Sequence, residues 1–292
     1  MEGSRDAASR APSPAAIEAF RRDGFLLLPG FVDVDACSRL RAHASLLAER
    51  LAAECPRPVA FTADGAPRHA DERWFLDSGA AMRAFHEKDA FRPDGTLREA
   101  PHQGLAKLGH ALHDLDPVFE AFSRTEALAG VADAIGMRDP RLLQSMYIFK
   151  QARIGGEVQC HADHTYLWTE PRSVVGFWFA IDDATVANGC MWALPGGHRI
   201  PVKERWRLRD DGSGARMERL DSNPYPSEGF VPLEAPRGTL ILLDGALPHR
   251  SGANDSDAPR HAYALHAIEG WTDYPADNWL RRPMEELRGF RA

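Results

Sequence analysis

The stretch QCHADHTYLWTEP, residues 159–171, sets His161 and Asp163 two positions apart. Imidazole and carboxylate both bind metals, and side chains at i and i+2 of a strand share one face, with Cα atoms roughly 7 Å apart. His161 and Asp163 can therefore reach a single ion. His164 points to the opposite face, where it either supports the site from behind or meets substrate. A metal held for oxygen chemistry needs two imidazoles and one carboxylate on one side, with its remaining positions free. The second imidazole must come from elsewhere. His249, in TLILLDGALPHRSG, is placed for it, just past a strongly apolar strand and a turn. An HxD triplet alone is common, as is a histidine at a strand end; the segments around them make the difference.

Arg260 opens RHAYALH eleven residues after His249. In an extended chain Arg260, Ala262 and Ala264 share one face, and His261, Tyr263 and Leu265 take the other. A guanidinium flanked by alanines has room to hold a carboxylate by two parallel charge-assisted bonds, which a lysine does not reproduce. Ser251, two residues from His249, adds a hydroxyl on the same side. The run SVVGFWFAID repeats the pattern: Trp178 shares its face with Gly176 and Ala180, while Val175, Phe177, Phe179 and Ile181 crowd the opposite one. One face is core; the other is a hollow with a tryptophan wall.

These residues need a scaffold. From about residue 142 the chain reads as short apolar or alternating runs, LLQSMYIFKQ, SVVGFWFAID, GTLILLDG and RHAYALHAI, separated by turn clusters such as RIGGE, LPGGH and GANDSDAP. That is the pattern of an antiparallel jelly-roll. The first half reads as mostly helical. Ser13 caps a helix with Pro14 at its first position and Gly24 as its stop. FLLLPGF is a short buried strand. Asp33 or Asp35 caps the helix ACSRLRAHASLLAERLAAEC. Two more helices are expected near 102–114 and 125–136, the first including GLAKLGHALHDL and carrying His102, His110 and His113. The expected fold is mainly β with flanking helices: a disordered tail over 1–13 and a single domain over 14–292, its helical N-terminal half packed on a jelly-roll that starts at about 142. Segment 203–230 is too long for a hairpin loop, and such a segment is a lid or disordered. Specificity belongs to loops such as 60–100 and 203–230.

Bulk properties narrow the function. The 292 residues carry a net charge of −7, which argues against nucleic acid as the main partner and leaves any anionic ligand to local arginines and lysines. No stretch approaches the ~20 apolar residues of a membrane span, and MEGSRDAASRAPSP has no signal-peptide core. Cys37, Cys55, Cys160 and Cys190 form no CxxC pair and fit reduced thiols. A soluble cytoplasmic protein acting on a small molecule is expected; the oligomeric state is left open.

HADHTYLWTEP, then GFWFAIDDATVANGCMWALPGGHR, then LPHRSGANDSDAPRHAYALH together resemble the phytanoyl-CoA dioxygenase family of iron(II)/2-oxoglutarate oxygenases. The likeness runs from GFLLLPGF to DNWL at 277–280. It implies a double-stranded β-helix holding Fe(II) between His161, Asp163 and His249. It implies 2-oxoglutarate as co-substrate, with its far carboxylate on Arg260 and Ser251, and Trp178, Lys107 and Met146 lining its pocket. It implies a dioxygenase that consumes O2, releases succinate and CO2, and hydroxylates a C–H bond of a small or medium-sized organic molecule. Halogenating relatives have a small residue at the carboxylate position; Asp163 is kept here, which favours hydroxylation. Two other readings stay open on the residues alone: a non-redox cupin-type metalloenzyme, and a non-catalytic 2-oxoglutarate or iron binder of the same fold.

Overall fold

The computed structural model describes residues 11–55, 57–61 and 72–291; residues 1–10 of the expected tail and 62–71 of the 60–100 loop lie outside them. Strands in the first half are β1 (Phe25–Leu28), β2 (Ala60–Phe61), β3 (Met82–Glu87) and β4 (Leu105–His110). They are followed by β5 (Pro140–Ile148), β6 (Val158–His161), β7 (Val175–Ala180), β8 (Met191–Ala193), β9 (Glu204–Leu208) and β10 (Ala215–Arg219). The last are β11 (Val231–Leu233), β12 (Leu240–Asp244), β13 (His249–Ser251) and β14 (Ala262–Glu269). One sheet has the order β1-β12-β7-β14-β5-β4-β3-β2 and a second the order β11-β8-β13-β6. The quartets β12-β7-β14-β5 and β11-β8-β13-β6 interleave successive strands between two layers. That is the double-stranded β-helix.

Alternation assigns the faces. Phe177, Phe179, Leu240, Leu242, Tyr263 and Leu265 form one buried cluster with Leu40, Leu47 and Leu51 of the helix Val34–Glu54. Trp178, Ala180, Ile241, Leu243, Ala262 and Ala264 belong to another cluster, with Met191, Ala193 and Leu233 of the smaller sheet. Full burial of a large apolar side chain contributes roughly 1.5–3 kcal/mol, so a one-residue slip of β7, β12 or β14 would exchange helix-facing for inward-facing residues and is strongly disfavoured. The helices begin where the caps predict: Ser13 Oγ accepts from Ala16 N–H and Asp33 Oδ1 from Ala36 N–H, each contributing about 1 kcal/mol.

The first half is less helical than its pattern suggests, since β1 to β4 extend the larger sheet. The helix Glu126–Ile135 forms as expected, whereas GLAKLGH is strand β4 and only Leu112–Leu115 is helical. Leu105 and Leu108 mimic a helical repeat because the pairing with β3 carries a bulge: Phe85 faces Lys107 but His86 faces Leu105, leaving Ala106 extra. One extra residue puts i and i+3 on one side of a strand. His110 and His113 are accordingly buried, with Nδ1 bonded to Ser78 Oγ and Ser145 Oγ. FLLLPGF does form a strand, half-buried at the sheet edge.

Segment 203–230 holds a hairpin, β9–β10. Arg205 and Arg207 both pair with Asp277, and Leu208 N–H donates to Asp277 O. The hairpin is thereby tied to the chain after β14. Lys203, Arg205, Arg207 and Arg219 are engaged in internal ion pairs.

Candidate active site

His161 ends β6, and His249 begins β13 directly opposite it in the antiparallel register. Asp163 follows β6 in a short 3-10 turn. Its Oδ1 lies 3.8 Å from His161 Nε2 and 3.7 Å from His249 Nε2. One ligand atom from each residue falls within 4.8 Å of the others. The tautomers suit a metal. His161 Nδ1 is 2.8 Å from Gln159 O and His249 Nδ1 is 3.0 Å from Leu247 O. A carbonyl only accepts, so both Nδ1 atoms carry the proton and both Nε2 lone pairs face the centre.

The electrostatics agree. Burial lowers His161 to about 4, helped by neighbouring His249, which keeps its imidazole neutral. Burial alone would raise the Asp163 carboxyl, but His266, His249 and His161 hold it below its ordinary value. Neutral imidazole and ionised carboxylate are the ligating forms. His266 Nε2 stands 3.3 Å from Asp163 Oδ2, the oxygen turned away from the two ligand histidines. A Cβ at position 176 would lie 3.2 Å from that same oxygen, so Gly176 makes room for the carboxylate. Two histidines and one carboxylate on one side of an open cavity form a facial triad, the donor set of non-haem Fe(II) oxygenases.

The same cavity, about 470 Å³, is lined by all five residues expected to hold the co-substrate: Arg260, Ser251, Trp178, Met146 and Lys107. Trp178, Ala264 and Met146 stand side by side on β7, β14 and β5. The alanine between two long side chains makes a trough. Arg260 is 2% exposed, with its Cζ 5.3 Å from the Trp178 ring centre. Its Nη2 donates to Gly189 O at 3.0 Å, while Nε and Nη1 find no partner among the described residues. Burial pulls the guanidinium down to about 10, so it remains a cation at neutral pH. Lys107 is also buried. Its Nζ sits 3.8 Å from the Phe61 ring centre and 3.5 Å from Met146 Sδ, no carboxylate pairs with it among the described residues, and burial lowers it to about 7. Lys150 and the carboxylates of Glu87 and Asp163 line the same hollow, in which the unbonded Nε–H and Nη1–H of Arg260 are open to an anion. Phe75, Tyr166, Trp206, Met217 and Trp279 give the cavity an apolar and aromatic part, and Lys88, Asp89, Glu157 and Arg250 line it too; the β9–β10 hairpin supplies Trp206 and Met217.

His164 falls on the far side of the turn, as its position predicts. It lines a separate cavity with Arg172 and His198 and does not face the metal pocket. The four cysteines are free. Two residues escaped the sequence reading. His266 extends the Arg260, Ala262, Ala264 alternation by one step, so period two alone could have found it. Lys150, whose Nζ donates to Ser251 Oγ at 2.9 Å, had no local signal. Among the described residues no helix is long and apolar enough to cross a membrane.

Similarity to known proteins covers nearly the whole chain. The profile of the family described as Phytanoyl-CoA dioxygenase (PhyH) matches residues 20–262. A protein named phytanoyl-CoA dioxygenase from Arabidopsis thaliana is 35% identical over 271 residues, 92% of this chain and 94% of that one. The phytanoyl-CoA dioxygenase domain-containing protein 1 of Mus musculus is 37% identical over 285 residues, 94% of this chain and 96% of its own. Among solved structures, the epimerase SnoN in complex with Fe3+, alpha ketoglutarate and nogalamycin RO superposes with a TM-score of 0.62 at 18% identity, covering 95% of this chain and 91% of that one.

Proposed function

The chain belongs to the phytanoyl-CoA dioxygenase family, and from that premise we propose that it is an Fe(II)- and 2-oxoglutarate-dependent dioxygenase that hydroxylates a C–H bond of a small or medium-sized organic molecule, releasing succinate and CO2. The observation that carries this reading is the placing, in one cavity, of a facial triad and an arginine whose Nε and Nη1 have no partner among the described residues. His161, Asp163 and His249 would hold the iron. Ser251 lies two residues along β13 from His249, roughly 7 Å, a span suited to a five-carbon diacid with its keto acid at the metal and its far carboxylate on Ser251 and Arg260.

Iron, when bound, supplies the redox chemistry with O2 that couples loss of CO2 from 2-oxoglutarate to oxidation of the substrate. The chain's own residues bind, orient and shield. Arg260 takes the distal carboxylate with its free Nε–H and Nη1–H, and the Trp178–Ala264–Met146 trough keeps the diacid's carbons in line. Lys107 adds positive charge at the trough's edge. Asp163 occupies the position that would otherwise be open to a halide, which is why hydroxylation is the proposed outcome. The aromatic side chains of the cavity, Tyr166, Trp206 and Trp279 among them, suit a substrate with apolar surface.

The test is succinate release by purified protein with Fe(II), ascorbate, O2 and 2-oxoglutarate, beside Asp163→Ala. Slow succinate formation by wild type that disappears in the variant is expected. Calorimetric titration of 2-oxoglutarate without oxygen accompanies it. A protein that neither forms succinate nor binds 2-oxoglutarate would sink the proposal; one that binds without forming succinate is either tightly coupled to its own substrate or a non-catalytic binder of the same fold.

A further inference from the structure

Lys150 is 2% exposed and lines the same cavity as Ser251 and Arg260. It sits at φ +40, a conformation few side-chain-bearing residues adopt. Several contacts hold it there. Its carbonyl accepts from Asn254 Nδ2 at 2.8 Å and from the Arg260 backbone N–H at 3.1 Å. Its stem runs between two glycines: a Cβ on Gly155 would come within 3.0 Å of Lys150 Cγ, and one on Gly189 within 2.6 Å of Lys150 Cε. Its ammonium donates to Gly156 O at 2.7 Å and to Ser251 Oγ at 2.9 Å. Gly156 is fixed in turn, since its N–H donates to Glu87 Oε2 at 3.2 Å.

Hydrogen-bond polarity gives this arrangement a consequence. An ammonium has only protons to offer, while a hydroxyl has one proton and two lone pairs. Burial, with Arg260 close by, lowers Lys150 to about 7; in its charged form it can only donate, so Ser251 Oγ then accepts from it and turns its own single proton elsewhere. No acceptor for that proton is present among the described residues. Arg260 Nε and Nη1 lack acceptors too. Ser251 and Arg260 line the same cavity, and one carboxylate would supply what all three N–H and O–H groups lack.

We propose that Lys150 is a positioning residue for the co-substrate: by donating to Ser251 Oγ it fixes that hydroxyl as a donor to the distal carboxylate held by Arg260. The inference rests on the 2-oxoglutarate reading above and adds a role for Lys150, itself a residue of the cavity wall, exerted through Ser251. It predicts that Lys150 and Ser251 act as one unit, and only toward an acid that carries a distal carboxylate.

The experiment is a double-variant cycle read as binding, without turnover. Wild type, Lys150→Met, Ser251→Ala and the double variant, each loaded with Mn(II), are titrated calorimetrically with 2-oxoglutarate and with 2-oxobutanoate, which has the keto acid but no second carboxylate. Lys150→Met should weaken 2-oxoglutarate about tenfold, the lower range for a hydrogen bond to a charged group, and leave 2-oxobutanoate unchanged. The double variant should bind 2-oxoglutarate no more weakly than Ser251→Ala alone. Multiplying effects of the two substitutions would overturn the proposal, and so would equal weakening of both acids, the mark of a general structural role. If Lys150→Met does not fold, Lys150→Gln keeps a shorter stem in the same channel and the cycle is read with it. Failure of the wild type to bind 2-oxoglutarate is a separate result, seen before any variant is made, and it removes the parent reading along with this one.

Discussion

Replacing Arg260 by leucine should strengthen the ligand-free fold while nearly abolishing 2-oxoglutarate binding. Burial pulls the guanidinium from its ordinary value to about 10, which at 1.36 kcal/mol per pH decade corresponds to roughly 3 kcal/mol against the charged form. Because the folded value of this base lies below the unfolded one, the cost is fully present at every pH below about 10 and is seen in full at neutrality. Against it stand the bond to Gly189 O, about 1 kcal/mol, and the contact with the Trp178 ring, about 1 kcal/mol. The balance favours leucine by about 1 kcal/mol, a rise in Tm of roughly 2 °C for a chain of this size. Binding moves the other way. The variant loses two charge-assisted bonds to the distal carboxylate at about 1.5–3 kcal/mol each, a loss of roughly two to four orders of magnitude in affinity. Thermal unfolding with and without saturating 2-oxoglutarate reads both effects. Wild type should gain stability from the diacid and the variant should not, while melting higher without it. A variant that melts lower without ligand yet keeps its 2-oxoglutarate affinity would refute the reasoning at both steps.

Two further outcomes follow from the other buried groups. Lys107 titrates near 7 in the fold and in the ordinary lysine range when unfolded, so the unfolded state holds the extra proton between those values and stability climbs with pH from about 7 to about 10. Lys107→Met should therefore exceed wild type in urea stability most at pH 6, with a gap that closes toward pH 10; a gap independent of pH would show that the lysine's charge is not what burial penalises. His266→Leu removes the group facing Asp163 Oδ2 and should weaken Mn(II) binding by about tenfold or more, as loss of a group supporting a metal ligand does. Unchanged metal affinity in a folded His266→Leu protein would show that Gly176 and the turn suffice to hold the carboxylate.

Much of the site is legible in the chain because it is built on extended backbone, where position alone assigns a face. The alternation through Arg260, Ala262 and Ala264, and through Gly176, Trp178 and Ala180, is enough to separate pocket from core, and the caps at Ser13 and Asp33 are local hydrogen bonds between near neighbours. Period two also extends to His266. Where the backbone departs from regular geometry, the same rule misleads: the extra residue Ala106 gives strand β4 the Leu105–Leu108 spacing of a helix. The 203–230 segment is opaque for a different reason, since the carboxylate that anchors its hairpin, Asp277, is about seventy residues beyond the arginines it pairs with.

Spacing along a strand fixes side-chain direction, so the order of residues is sufficient to say which side chains could ligate a metal and which strand faces could hold a diacid. It is not sufficient to say that His161 stands opposite His249, that Asp163 turns one oxygen toward them and the other toward His266, or that Lys150 meets Ser251. Each of those is a meeting of residues distant in the chain, and sheet register and close packing, which no local spacing encodes, bring them within bonding range.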